Sequence, residues 1–272
     1  PEYPADFSGG FILVNTKDVP SSNLFTISVG TSLNDQTHFK KFLYNKGSGT
    51  DFLGFDNGFR SLKGGINAVL SPMNNGYDLL NNGLNNDWTV KDRRPLADLS
   101  LNMNFSRRWV DSSGRTLAIL GTVNYSNSYR TYLDMDNNLF GAYDMTHDCS
   151  NYLRKSIDDQ YNHSVRIGTM LNFTYIPASG NSRYEFKNIF NQLGKDRYTY
   201  RKGTDAQSDY EESAEYYYQS RTTYNGQFTG KHTLGNTDKL DWSAGYSYAN
   251  RNMPDRRRYT TVLNEETNQL EV

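Results

Sequence analysis

The chain has 272 residues and is nearly neutral, with 29 Lys and Arg against 30 Asp and Glu. That balance excludes a nucleic-acid binder working by bulk electrostatics, and the lack of any run of about 18 apolar residues excludes a transmembrane helix. Hydrophobic residues reach only 36%, yet there are 21 Tyr and 14 Phe, a composition that favours strands over helices and needs surfaces on which rings can stack or be buried.

The first predicted element is a short strand over 11–17, where Ile12, Val14 and Thr16 alternate with Phe11, Leu13 and Asn15. It follows Gly9 and Gly10, which permit close backbone approach. In the strand over 22–34, Phe25, Ile27, Val29 and Leu33 oppose Thr26, Ser28, Gly30 and Asn34. A polar excursion over 37–95 comes next, with a short helix allowed over 66–80. Strand 96–109 sets Leu99, Leu101, Met103 and Phe105 against Ser100, Asn102, Asn104 and Ser106. A tight turn at 111–115 joins it to strand 116–127, with Leu117, Ile119, Val123 and Tyr125 on one face.

After a second excursion over 128–160, strand 162–176 sorts most clearly. Val165, Ile167, Leu171, Phe173 and Tyr175 fall on one side, and Arg166, Gly168, Met170, Asn172 and Thr174 on the other. Only a β-strand separates odd from even in this way. Turn 177–181 leads to strand 183–200, a third excursion covers 202–214, and strand 215–233 joins strand 239–250 through turn 235–238. The chain from 251 onward reads as a fourth excursion.

Short turns alternating with long polar excursions are the layout of an outer-membrane barrel, with periplasmic turns and extracellular loops. A small polar face of Ser, Asn, Gly and Thr suits a hydrated lumen. Trp109, Tyr125, Tyr175, Tyr198, Tyr200, Tyr216, Tyr218 and Tyr248 near the strand ends suit interfacial girdles. The fold class is therefore all-β, an antiparallel up-and-down transmembrane barrel of which about seven strands are present. On this alternation Val165, Ile167, Leu171 and Phe173 face lipid, whereas Arg166, Arg183, Glu185, Lys187, Arg221 and Lys231 point inward. A soluble sheet or lipocalin-like barrel has the same periodicity.

The segment PADFSGGFILVNTKDVP (4–20) resembles the last plug strand of TonB-dependent outer-membrane receptors, with Gly9, Gly10, Thr16 and Lys17 carrying the motif. TDFLGFDNGFRSL (50–62) is similar to the DWLGFDDGxRxLP stretch of Bacteroidetes-type receptors, with Lys63 where that pattern often has Pro, and NNDWTV (85–90) also fits. The resemblance covers about residues 1–109. It departs from the SusC-like branch, whose Gly-Ala-Asn-Gly-Val-Ile step is replaced by FSGGFI, so a glycan-binding lipoprotein lid is less expected. Such receptors close about 22 strands, so the chain is expected to be a fragment: 1–20 the end of the plug, 21–272 the first part of the barrel.

The resemblance implies a bacterial outer-membrane transporter of a scarce nutrient (siderophore, vitamin, glycan or peptide), opened by the TonB complex through a segment preceding Pro1. Its surroundings would be outer-membrane lipid and lipopolysaccharide, with no cofactor and no nucleic-acid partner. A passive porin, a small adhesion barrel and a soluble ligand-binding β protein are the rivals.

No catalytic constellation is legible, and the chain reads as a non-enzyme. Cys149 is the sole cysteine, and His38, His147, His163 and His232 show no ligand spacing. Asp158 and Asp159, and Glu211 and Glu212, are adjacent carboxylates that would diverge on a strand and so make poor acid–base pairs; they read as solvated loop residues. Asp134, Asp136 and Asn138 match the first half of a calcium loop, but Leu139 replaces its glycine and no Glu closes it. Arg256, Arg257 and Arg258 read as loop residues balanced by Glu265, Glu266 and Glu271, or as contacts to lipopolysaccharide phosphates. Tyr216, Tyr217 and Tyr218 with Tyr210 read as girdle residues or a stacking surface for a ligand.

Overall fold

The computed structural model describes residues 19–61, 85–235 and 237–271. The plug-like strand, with Gly9, Gly10, Thr16 and Lys17, and the short helix over 66–80 lie outside the described residues. The rest is antiparallel sheet, and the described residues contain one 3-10 turn (Asp51–Leu53) and no α-helix.

The main sheet has nine strands. They are β1 (Leu24–Ser32), β4 (Asp98–Val110), β5 (Thr116–Asp136), β6 (Leu139–Asp144), β7 (Cys149–Ile176), β8 (Ser182–Asp205), β9 (Tyr210–Leu234), β10 (Asp238–Asn264) and β11 (Gln269–Glu271). Its order is β1-β4-β5-β7-β8-β9-β10-β11, with β6 paired to β7 beside this path. Two short strands, β2 (Phe42–Tyr44) and β3 (Lys91–Arg93), pair separately. Sequential strands thus form a meander, and the three predicted hairpins are present in register.

The tight turns work by the chemistry of their residues. Gly114, Gly180 and Gly235 adopt φ of 84°, 69° and 66°, a region that costs glycine nothing. In the first turn Asp111 accepts the backbone N–H groups of Ser113 and Arg115 and an ion pair from Arg115 at 2.6 Å.

Three predicted excursions are instead mostly strand. β7 runs 28 residues, β10 27, β9 25 and β8 24, against the ~9–11 that cross a bilayer. Residues 128–136 continue β5, 202–205 and 210–214 extend the β8–β9 hairpin, and 251–264 continue β10. Their polar side chains on both faces hide the period-two signal, but the backbone ladder depends on N–H and C=O groups alone. Short bends remain at the tips, where Asp148, Ser208 and Asn268 take positive φ. Arg256, Arg257 and Arg258 accordingly lie in a strand, not a loop, in register with Tyr217, Tyr216 and Glu215.

Cross-strand register assigns the two faces. Phe25, Phe105, Ile119, Phe173, Phe186, Phe228 and Ala244 lie on one face, and Ser126, Arg166, Leu193 and Arg221 on the other. Near the tight turns the first face is aliphatic, aromatic and exposed. Farther out it changes to Tyr129, His163, Asp196 and Tyr218, and the 34–61 and 85–97 segments cover it. There lies the core: Phe42, Tyr161, Tyr198, Ala214 and Tyr216.

That covering overturns part of the face assignment. Val165 is on the predicted apolar face but is only 1% exposed, because the 51–54 turn packs against β7 and β8 beside it. Tyr198, Tyr216 and Tyr218 are likewise buried, so they are core residues and not girdle. Trp109, Tyr175 and Tyr248 are exposed.

Candidate functional site

Two places concentrate polar chemistry: the seat of the insertion between β1 and β4, and a groove on the opposite face of the sheet. The insertion is held by self-contained turns that present arginine to aromatic rings. In 50–60, Asp51 and Asp56 both accept from Arg60, at 2.6 and 2.8 Å, and Asp56 also accepts the backbone N–H groups of Gly58 and Arg60. So fixed, the Arg60 guanidinium stacks 3.8 Å from the centroid of Tyr218 in β9. The Phe52 carbonyl accepts from the Tyr125 hydroxyl at 3.0 Å, and the Gly54 carbonyl accepts from the Gln192 amide.

Two further arginines complete the clamp. Arg93 lies over Tyr44 and Tyr129, at 4.5 and 4.8 Å. Arg257 of β10 reaches the other way. Its guanidinium is 5.0 Å from both Trp88 and Tyr216, pairs with Asp255, and donates to the carbonyls of Asn85 and Asp87 and to Asn45. Each stack combines packing with cation–π attraction.

Asp98, the first residue of β4, anchors the insertion's base. It accepts from Ser32, from the backbone of Tyr129, and from Arg130 at 2.6 Å. His38 faces it at 2.9 Å. Nδ1 of His38 accepts the Asn34 N–H at 2.7 Å, which leaves Nε2 to donate to Asp98.

Burial around the clamp shifts several groups, Asp196 and His163 among them. Desolvation raises the Asp196 carboxyl to about 6, opposed by Arg60. Desolvation, aided by Arg93, lowers His163 to about 3. His163 stacks on Tyr129 at 4.4 Å, faces Asn127 at 2.9 Å and lies opposite Asp196 in register.

On the opposite face a groove of about 650 Å³ is lined by Ser100, Asn102, Asn124, Ser126, Arg166, Asn191, Arg221 and Thr223. Leu101, Tyr125, Ile167 and Leu193 contribute apolar lining, and the hydroxyls, amides and guanidiniums of the polar residues are the means of holding a polar solute by hydrogen bonds. Toward the tight turns the same face carries Glu185 between Arg183 at 2.5 Å and Lys187 at 3.1 Å. The six residues predicted to share the inward face do share it.

The other predicted sites are placed as follows. Asp134 takes φ 54° and its N–H donates to Asp159, while the Asn138 amide oxygen accepts the Ser156 N–H. Asn138 is therefore engaged in the strand edge, and no group of three or more His, Cys, Asp or Glu is assembled for a metal among the described residues. Asp158 and Asp159 lie in β7 and not in a solvated loop, and they diverge: Asp158 is buried and pairs with Arg201, while Asp159 accepts the Asp134 N–H. The 50–62 stretch was legible as a motif, but the docking of its described residues 50–61 onto Tyr218 and Gln192 had no local signal.

No protein-family model, no curated protein and no solved structure matches the chain.

Proposed function

We propose that this chain is part of a TonB-dependent outer-membrane receptor that takes up a scarce nutrient. In this reading 1–20 ends the plug and 21–272 begins the barrel. The observation that carries it is the exposed apolar band on a long-stranded meander. Met103, Val123, Leu171, Phe186 and Phe228 are each about two-fifths exposed on one continuous face. A contiguous apolar surface of this kind needs a partner phase.

The band has the dimensions of a bilayer. On β7 it runs from Tyr175 to Ile167, within the ~9–11 residues of a tilted spanning strand. It stops at the row of Val165 and Gly194, where the insertion begins. The strand halves beyond that row, including Asp196 and His163, would stand outside the membrane. The opposite face, with Asn102, Asn124 and Arg166, would line the lumen. The plug-like and DWLGFDDG-like segments choose the energised receptor over a porin.

The test uses the full-length protein in its own cells. Outer-membrane fractionation, heat-modifiable migration on gels and nutrient uptake lost on TonB depletion are expected. Uptake that persists without TonB identifies a passive porin, and recovery as a detergent-free soluble monomer overturns the membrane reading.

A further inference from the structure

We propose that the groove on the polar face is an anion-binding site, with Arg166 and Arg221 as its cationic groups and a carboxylate- or phosphate-bearing solute as its ligand. The inference deepens the transport reading by naming a substrate class, but it stands on the geometry of the groove itself.

Register places Gly30, Ser100, Ser126, Arg166, Leu193, Arg221 and Arg251 in one row across seven strands. At ~4.8 Å per strand, the Arg166 and Arg221 backbones are about 10 Å apart with the Leu193 side chain between them. Both guanidiniums can therefore reach an oxyanion held over Leu193. A guanidinium fork matches carboxylate and phosphate oxygens geometrically as well as electrostatically.

The charge inventory of this face points the same way. Several of its carboxylates are already engaged. Glu185 is held by Arg183 and Lys187, Glu215 by Arg197 and Arg256, and Asp158 by Arg201. Asp241 lies opposite Lys231 in register. Arg251 donates to Gln219. Arg166 and Arg221 line the groove without a carboxylate of their own among the described residues. In a nearly neutral chain, this leaves a local excess of positive charge beside a concave surface that sets hydroxyl and amide groups around the Leu193 side chain. Asn124, Ser126, Asn191 and Thr223 would then bind the hydroxyl or carbonyl groups of the same ligand.

The experiment measures binding of citrate, and separately of inorganic phosphate, to the full-length protein in detergent by titration calorimetry. Binding of at least one probe is expected. It should weaken between about 50 and about 300 mM salt and fall about tenfold or more in the R166Q/R221Q double variant. Arg108→Gln, on the same face but outside the groove, should bind as the parent does. As a readout that needs no variant, the bound probe should slow phenylglyoxal modification of Arg166 and Arg221 mapped by mass spectrometry. Failure of both probes to bind overturns the proposal, as does equal binding by the double variant. Binding by a protein that fractionates as soluble keeps the site and discards the receptor reading.

Discussion

Gly54 and Gly194 meet backbone to backbone: a Cβ on Gly194 would sit 2.5 Å from the Gly54 Cα, and one on Gly54 would sit 2.9 Å from the Gly194 nitrogen. Gly54 also holds φ at 77°, a conformation that other residues adopt only with strain. The contact lets the 51–54 turn lie flat on β8 and seal Val165. Gly194→Ala should therefore lift the turn and cost ~1–3 kcal/mol. The expected readout is a lower denaturant midpoint with faster proteolysis within 45–60, while the β4–β5 hairpin keeps its hydrogen-exchange protection.

Arg257 is the polar keystone on the other side of the insertion. Its side chain is 11% exposed and its partner Asp255 is 8% exposed. Arg257→Ala strands a buried carboxylate and the carbonyls of Asn85 and Asp87, at a cost of ~3–5 kcal/mol. Arg257→Lys should recover only part, because a point charge cannot serve Asp255 and two carbonyls while stacking between Trp88 and Tyr216. Trp88 fluorescence should shift to the red in the Ala variant, and hydrogen exchange at 85–89 should accelerate in both.

Two residues of one face separate the proposed lipid exposure from protein burial. Leu171→Arg should cost ~2–4 kcal/mol for folding into vesicles, but within about 0.5 kcal/mol in a lipid-free assay, since Leu171 is 38% exposed. Val165→Arg should be disruptive in both, by about 3 kcal/mol or more, because it buries an unpaired charge beneath the 51–54 turn. Unchanged vesicle folding of the Leu171 variant would show that the band does not face lipid.

Asp196 makes a pH prediction. Its carboxyl is raised to about 6 by burial, whereas in the unfolded chain it titrates near 4. The folded state therefore binds more protons between pH 4 and 6, and this group's contribution to stability falls as pH rises through that window. Asp196→Asn should stabilise the protein above pH 6, with the gain shrinking toward pH 4. Denaturant midpoints of parent and variant across pH 4–8 check this. The difference between them cancels the opposite trend of His163, whose lowered value makes acid destabilising.

Strand identity, strand order and the two faces were legible in the sequence because they follow from local rules. Alternation in 162–176 assigns Leu171 and Arg166 to opposite sides by the geometry of the pleat alone. The turns at 111–115, 177–181 and 235–238 then force neighbouring strands to pair. The face of Arg166 and Arg221 could be assigned for the same reason, although nothing local showed that their row meets Ser100 and Ser126 in one groove.

The tertiary structure alone decided where the sheet ends and what covers it. The strand extensions over 128–136 and 251–264 are held by backbone pairing with partners whose alternation is also lost, so no side-chain pattern announces them. The burial of Val165 and Tyr218 depends on Gly54 and Arg60, which lie more than 100 residues away in the chain. A hydrophobic period records that one face avoids water; it carries no information on whether lipid or protein takes the water's place, because both are apolar neighbours of the same side chain.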